Sequence, residues 1–139
     1  ADQVDQDVLK RAREVAEATG ATIEVSSDAA CLKGADVLYT DIWASMGEEA
    51  QIPERVKMLT PYRVTMDMIK ETENDDVIFM HCLPSFHDFE TTMAKDQKEL
   101  GYDIREVTDE VFRSRHSKVF DEAENRMHTI KAVIVATIA

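Results

Sequence analysis

Cysteine, proline and glycine are scarce in this chain: two, three and four residues respectively out of 139. Two cysteines cannot build the dense disulfide framework of a small secreted scaffold. So little glycine and proline excludes a collagen-like or low-complexity polymer. No uninterrupted apolar stretch reaches the roughly 20 residues that a membrane-crossing helix requires. Basic residues are outnumbered, 16 lysines and arginines against 28 aspartates and glutamates, for a net charge of −12. That balance argues against nucleic acid and against an anionic membrane as partners. A Gly-x-Gly-x-x-Gly fingerprint is missing too, so a dinucleotide site is not expected. The opening residues, Ala1-Asp2-Gln3-Val4-Asp5, supply neither the basic nor the apolar region of a secretory signal. They also lack an initiator methionine, which points to a chain processed or excised from something longer. Cys31 and Cys82 are expected as free thiols of a reducing cytoplasm.

What is present fits one α/β domain, long enough for a single core. Val4 to Thr19 has the periodicity of an amphipathic helix, with Val4, Val8, Ala12, Val15 and Ala16 toward one face and Gly20 as its stop. Thr22-Ile23-Glu24-Val25 reads as a strand, and Ser26-Ser27-Asp28 as the cap of a short helix through Lys33. Glu48 to Leu59 is predicted helical with Pro53 in its first turn, and a short helix is predicted around Asp67–Lys70. Asp88 to Leu100 reads as a helix, Asp103 to Val107 as a weaker strand, and Thr108 as the cap of a helix through Arg115. Asp121 and Glu124 form a capping-box pattern. The run Ile130 to Ala139 is apolar almost all round; periodicity alone does not separate helix from strand there, but the box and the length favour helix. Strands alternating with helices predict a three-layer, Rossmann-like parallel sheet flanked by helices.

Two strands carry the chemistry. Val77-Ile78-Phe79-Met80 is uncharged and bounded by the polar Glu73-Asn74-Asp75-Asp76, and it runs straight into His81-Cys82-Leu83-Pro84. Asp36-Val37-Leu38-Tyr39-Thr40 delivers Asp41, Trp43, Ser45, Met46 and Gly47 into the next loop. In open parallel sheets ligands sit beyond the carboxyl ends of the strands. If both strands share one sheet, Asp41 and Cys82 emerge on the same edge and can grip opposite ends of one diamino acid. The plain readings stand beside these: Cys82 as a core cysteine, Asp41 as a turn cap, and Arg126 as a solvated partner of Glu122 or Glu124. The sharper reading makes Asp41 the acceptor for an ammonium group and Trp43 with Met46 the walls around an alkyl chain. It makes Arg126 an anion ligand beside the start of the last helix. A zinc site from His81, Cys82 and His87 is disfavoured because no second Cys-x-x-Cys or His-x-x-x-His arm exists. No metal and no cofactor are expected.

Three ordered segments, Tyr39-Thr40-Asp41-Ile42-Trp43-Ala44-Ser45-Met46-Gly47, Phe79-Met80-His81-Cys82-Leu83-Pro84 and Glu124-Asn125-Arg126-Met127-His128-Thr129-Ile130-Lys131-Ala132, together resemble the ornithine carbamoyltransferases, over essentially the whole chain. The likeness is to their second, amino-acid-binding domain. It implies that Asp41 binds the α-ammonium of L-ornithine, and that Ser45 and Met46 close over the same amino acid. It also implies that Cys82 and Leu83 contact carbamoyl phosphate and the reacting amine, and that Arg126 binds carbamoyl phosphate. The implied reaction gives L-citrulline and phosphate, in a cytoplasmic enzyme that assembles as a trimer; a mitochondrial matrix enzyme is the eukaryotic alternative. The Ser-Met-Gly loop points to ornithine within the wider family. Another amine, or a non-catalytic amino-acid-binding module, are the rival readings.

The family's Ser-Thr-Arg-Thr-Arg type and His-Pro-Thr-Gln type loops are absent here; both belong to its carbamoyl-phosphate domain. Residues 1–139 are therefore expected to be part of the ornithine-binding domain, inactive alone. Ile130 to Ile138 should lose part of its cover, and an exposed apolar patch of that kind favours association.

Overall fold

A computed structural model describes residues 4–45 and 47–138. Two compact units divide the chain, one up to Cys31 and the other from Leu32 onward.

In the first unit, α1 spans Gln6–Thr19. The Asp5 carboxylate accepts from the Asp7 and Val8 amides at 2.9 and 3.0 Å, satisfying two of the donors a helix start leaves unpaired. Gly20, at φ +78°, closes the helix with its amide bonded to the Ala16 carbonyl, a conformation an L side chain resists. Leu9 and Ala16 are the buried residues, whereas Val8 and Val15 are exposed. The buried stripe thus runs through Leu9 rather than through the valines that periodicity suggests. Thr22–Val25 is not a strand: it has no ladder partner among the described residues, and β-branched composition alone does not make one. The expected helix after Asp28 is a 3-10 turn at Ala29–Leu32, led by Asp28 accepting from the Ala30 amide at 2.9 Å.

The second unit is built around β1, Val37–Thr40, and β2, Ile78–His81, paired in parallel with Val37 opposite Ile78 and Thr40 opposite His81. Single parallel bridges join Phe79 to Ser117 and Val64 to Val107, so the Asp103–Val107 segment contributes one bridge rather than a strand. Helices flank this sheet: α2 at Ile52–Leu59 behind a 3-10 turn at Glu49–Gln51, α3 at Met66–Glu71, α4 at Thr92–Glu99, α5 at Asp109–Phe112 and α6 at Val119–Ile138. The fold is α/β with a parallel sheet between helices. Pro53 occupies the first turn of α2, where its missing amide costs nothing. α4 begins four residues later than Asp88, because Thr91 rather than Asp88 caps it, accepting from the Ala94 amide. Thr108 precedes α5 but makes no side-chain cap, and its hydroxyl is buried without a partner among the described residues.

Leu38, Phe79, Val77, Val107, Val111 and Val119 form the main core, and Ala44, Ile52, Ala94 and Ile104 a second cluster. Phe79 is fully buried, with His81 two positions on along the same face of β2, so the strand that presents Cys82 is anchored immediately before it. α6 starts two residues before Asp121, with the Glu122 amide bonded to the Lys118 carbonyl; the aspartate lies inside the first turn instead of capping it. Along its second half Ile130, Val133, Ile134, Val135 and Ile138 are exposed. Among the described residues no helix is long and apolar enough to cross a membrane.

Candidate functional site

Because β1 and β2 are parallel and in register at Thr40 and His81, the next residue of each, Asp41 and Cys82, leaves the sheet at the same end. The structure brings the two together: the Cys82 thiol donates to Asp41 Oδ1 at 3.0 Å. This is closer than two groups gripping opposite ends of a diamino acid. They stand side by side, and a ligand ammonium on that oxygen shares it with the thiol or displaces it. The bond also sets their ionisation. The thiol's hydrogen bond holds the Asp41 carboxyl below the usual carboxylate range. That same bond, reinforced by partial burial and by the carboxylate's charge, pushes Cys82 up. Cys82 is thus a thiol at neutral pH, not a thiolate.

Behind this exposed pair lies a sealed one. His81 and Glu106 are both fully buried. The Leu83 amide donates to His81 Nδ1 at 2.9 Å, which places the ring proton on Nε2. Nε2 lies 3.0 Å from Glu106 Oε1, outside hydrogen-bonding alignment. Glu106 Oε1 accepts from the Ser85 hydroxyl at 2.7 Å and the Phe86 amide at 2.6 Å. The segment after Cys82 is therefore held from both sides. Leu83 adopts φ +50°, uncommon for a leucine, and packs against the main core, with a cis peptide to Pro84. Leu83 offers the site its backbone, since its side chain is committed to packing.

A cavity of about 280 Å³ opens beside Cys82, bounded by His81, Glu122, Ala123, Asn125, Arg126 and Thr129 as well. Arg126 is the basic residue of this lining and makes no ion pair among the described residues, with Glu122 or Glu124 or any other. It sits two turns into α6, not at its start, so the helix N-terminus does not assist it. The earlier start of α6 at Val119 accounts for the difference. Glu122, one turn before Arg126, ties α6 to both strands: it accepts from the Tyr39 hydroxyl at 3.2 Å and from the His81 amide at 3.1 Å. Partial desolvation of the phenol, on a side chain that is otherwise exposed, and then the Glu122 carboxylate raise Tyr39 to about 12.

The remaining candidates separate from this cluster. Ser45 is exposed in the loop after β1, its amide bonded to Glu48 Oε2 at 3.1 Å and its carbonyl to the Glu48 amide. Gly47 takes φ +87° there. Met46 lies outside the described residues. Trp43 is buried under the Arg63 guanidinium, 5.5 Å from its ring centre, and is a packing residue rather than an open wall. His81, Cys82 and His87 do not assemble as metal ligands. Among the described residues the ligand atoms that gather are those of His87, Asp88 and Asp109. There Arg113 already reaches Asp109 at 2.9 Å and Asp88 at 3.7 Å, supplying the positive charge. Glu106, Glu122 and Tyr39 are the members that sequence reasoning missed.

Comparison with known proteins identifies the family. Residues 2–137 match the aspartate/ornithine carbamoyltransferase, Asp/Orn binding domain family. The catabolic ornithine carbamoyltransferase of Clostridium perfringens (strain 13 / Type A) is 63% identical over 136 residues, covering 96% of this chain and 41% of that protein. Among solved structures, ornithine carbamoyltransferase from Pyrococcus furiosus superposes with a TM-score of 0.74 at 40% identity, covering 94% of this chain and 36% of the other. The anabolic enzyme of Campylobacter jejuni superposes with 0.76 at 30% identity, covering 96% and 39%. The chain thus spans about two fifths of the length of such relatives. The match over nearly its whole length shows that the chain belongs to the Asp/Orn binding domain family of the aspartate/ornithine carbamoyltransferases.

Proposed function

We propose that this chain carries the ornithine side of an ornithine carbamoyltransferase site, and that a carbamoyl-phosphate domain completes it. The observation that supports this most is the Asp41–Cys82 hydrogen bond at the rim of a cavity lined by Arg126, which makes no ion pair among the described residues. Residues 1–139 then act as part of one amino-acid-binding domain. A carboxylate held ionised at Asp41 meets the α-ammonium of L-ornithine, with Ser45 and Met46 in the loop that closes over the amino acid. Leu83 presents its backbone, and Arg126 its guanidinium, to carbamoyl phosphate.

The neutral δ-amine attacks the carbonyl carbon of carbamoyl phosphate. The carbon–nitrogen bond forms as a tetrahedral intermediate, the bond to the bridging oxygen breaks, and the proton lost by nitrogen leaves on phosphate. L-Citrulline and phosphate are the products, and the step calls on no cofactor and no metal. Holding both reactants in one geometry can supply about 7–11 kcal/mol of the barrier. A positive donor such as Arg126, aimed where negative charge develops, supplies part of the rest. Cys82, protonated, orients the amine by hydrogen bonding rather than by accepting its proton. The whole enzyme is proposed as a cytoplasmic trimer of arginine metabolism.

The test joins the chain to a carbamoyl-phosphate domain and follows citrulline formation across a panel of amines. Ornithine-dependent citrulline that Cys82→Ala and Arg126→Ala both suppress supports the reading. Ornithine binding without product would identify a silent amino-acid-binding module instead, and preference for another amine would move the chain within the family.

A further inference from the structure

Among the described residues Arg126 makes no ion pair, and the reason lies on β1. Glu122 precedes it by four residues on α6, and both line the cavity beside Cys82. A glutamate four residues before a basic residue is the spacing and the order in which two helical side chains pair most readily. They do not pair here. The Glu122 carboxylate is turned to the strands instead: Oε1 accepts from the Tyr39 hydroxyl at 3.2 Å and Oε2 from the His81 amide at 3.1 Å. Of these two donors only the hydroxyl belongs to a side chain. Tyr39 stands opposite Met80 in the ladder, so alternation along each strand puts it on the face that presents Asp41 and Cys82. Most of the side chain stays exposed while its hydroxyl reaches Glu122.

We propose that Tyr39 is a positioning residue for carbamoyl phosphate: by holding the Glu122 carboxylate on the strands, it keeps Arg126 free for the phosphate. The inference rests on the proposed function and adds to it a residue that acts only through Glu122 and Arg126. Without the hydroxyl, Glu122 Oε1 loses its donor, and the guanidinium one turn on is an uncommitted donor on the same cavity wall. A dianion then has to displace the carboxylate before it binds, and part of the positive charge that draws it in is cancelled. The effect falls on carbamoyl phosphate rather than on ornithine, whose ammonium meets Asp41. The same phenol also neighbours the Cys82 thiol, so KM for carbamoyl phosphate, not turnover, is the diagnostic quantity.

Phenylglyoxal, which modifies uncommitted guanidinium groups, reads the pairing directly and without any need for activity. Peptide mass spectrometry follows the rate at Arg126, with Arg113, already held by Asp109 at 2.9 Å, as the internal control. Tyr39→Phe should slow modification of Arg126 by about two- to fivefold, the strength of an ion pair at this spacing, and leave Arg113 unmoved. Adding Glu122→Gln should restore the parent rate, since the side-chain amide still accepts from the His81 amide but carries no charge for the guanidinium. In the chain joined to a carbamoyl-phosphate domain, Tyr39→Phe should raise KM for carbamoyl phosphate by a similar factor and leave that for ornithine in place. Glu122→Gln should again correct it. An unchanged rate at Arg126 would overturn the proposal, as would a slowed rate that Glu122→Gln does not restore, the mark of lost packing. A slowed rate with an unmoved KM would overturn the link to carbamoyl phosphate. A joined enzyme that makes no citrulline would sink the proposed activity, while the modification rates still decide whether Tyr39 governs Arg126.

Discussion

At the carboxyl end of β2, His81 and Glu106 are sealed from solvent, and Cys82, Asp41 and Glu122 beside them each hold a hydrogen bond. From Met127 to Ile138, α6 instead turns a row of apolar side chains to water. The first region is arranged by contacts within the chain, so its geometry exists before any ligand arrives. The second gains nothing from the chain that carries it. Substitutions in the first region should therefore report on folding and chemistry, and those in the second should leave the chain's own fold unmoved.

The largest contrast lies in stability. Phe79→Ala empties a fully buried site beneath His81 and should cost about 3–5 kcal/mol, whereas Ile134→Ala should change the monomer by no more than about 0.5 kcal/mol. Urea unfolding measures both. Equal losses would erase the distinction between a packed and an unpacked region. Next comes chemistry. In the completed enzyme Cys82→Ala and Arg126→Ala should each lower citrulline turnover by about 10²-fold or more, from lost orientation and lost charge stabilisation. Cys31→Ala, at an exposed position in the first unit, should leave turnover unchanged. Loss of activity at Cys31 equal to that at Cys82 would show that the strand end is not special.

The same contrast explains what could be read from the sequence. Val77–Met80 and Val37–Thr40 were legible because uncharged runs bounded by polar turns have few other places to go. Asp41 and Cys82 converge because two parallel strands that end in register must release their next residues together. Thr22–Val25 misled, since β-branched residues satisfy the pattern of a strand without supplying a neighbour to pair with. Arg126 was found but misplaced: an Asp-x-x-Glu box marked a start at Asp121, two residues inside the true one at Val119. Glu122 and Glu106 were invisible. Glu122 meets the His81 amide across 41 positions and Glu106 meets Ser85 across 21, with no local pattern to announce either contact. The exposure of α6 depends on what lies around it, which no helical period encodes.

A smaller effect sharpens the electrostatics of the strand end. Asp41→Asn removes the charge that keeps the Cys82 proton in place, so thiolate should form at lower pH than in the parent chain. Alkylation of Cys82 by iodoacetamide, followed against pH in a Cys31→Ala background, should shift its profile to the acid side. A profile that stays put, or moves to higher pH, would mean that the carboxylate does not govern the thiol.

The finest test concerns the junction of the two regions, where Glu122 ties the ordered start of α6 to Tyr39 and to the His81 amide. Tyr39 stands at about 12 against an ordinary 10.0, raised first by partial desolvation of its phenol and then by Glu122. Its raised value means that the folded chain favours the protonated phenol. Whatever stability this adds is complete below pH 10 and lost as pH rises through 12. Glu122→Gln removes the carboxylate's share, so Tyr39 should titrate closer to its ordinary value. The near-ultraviolet phenolate absorbance isolates it, once the titration of a Tyr39→Phe chain is subtracted. An unmoved titration would show that Glu122 does not hold the phenol in solution. The tie from Glu122 to the strands would then run through the His81 amide alone, with Val119 still holding the start of the helix in the core.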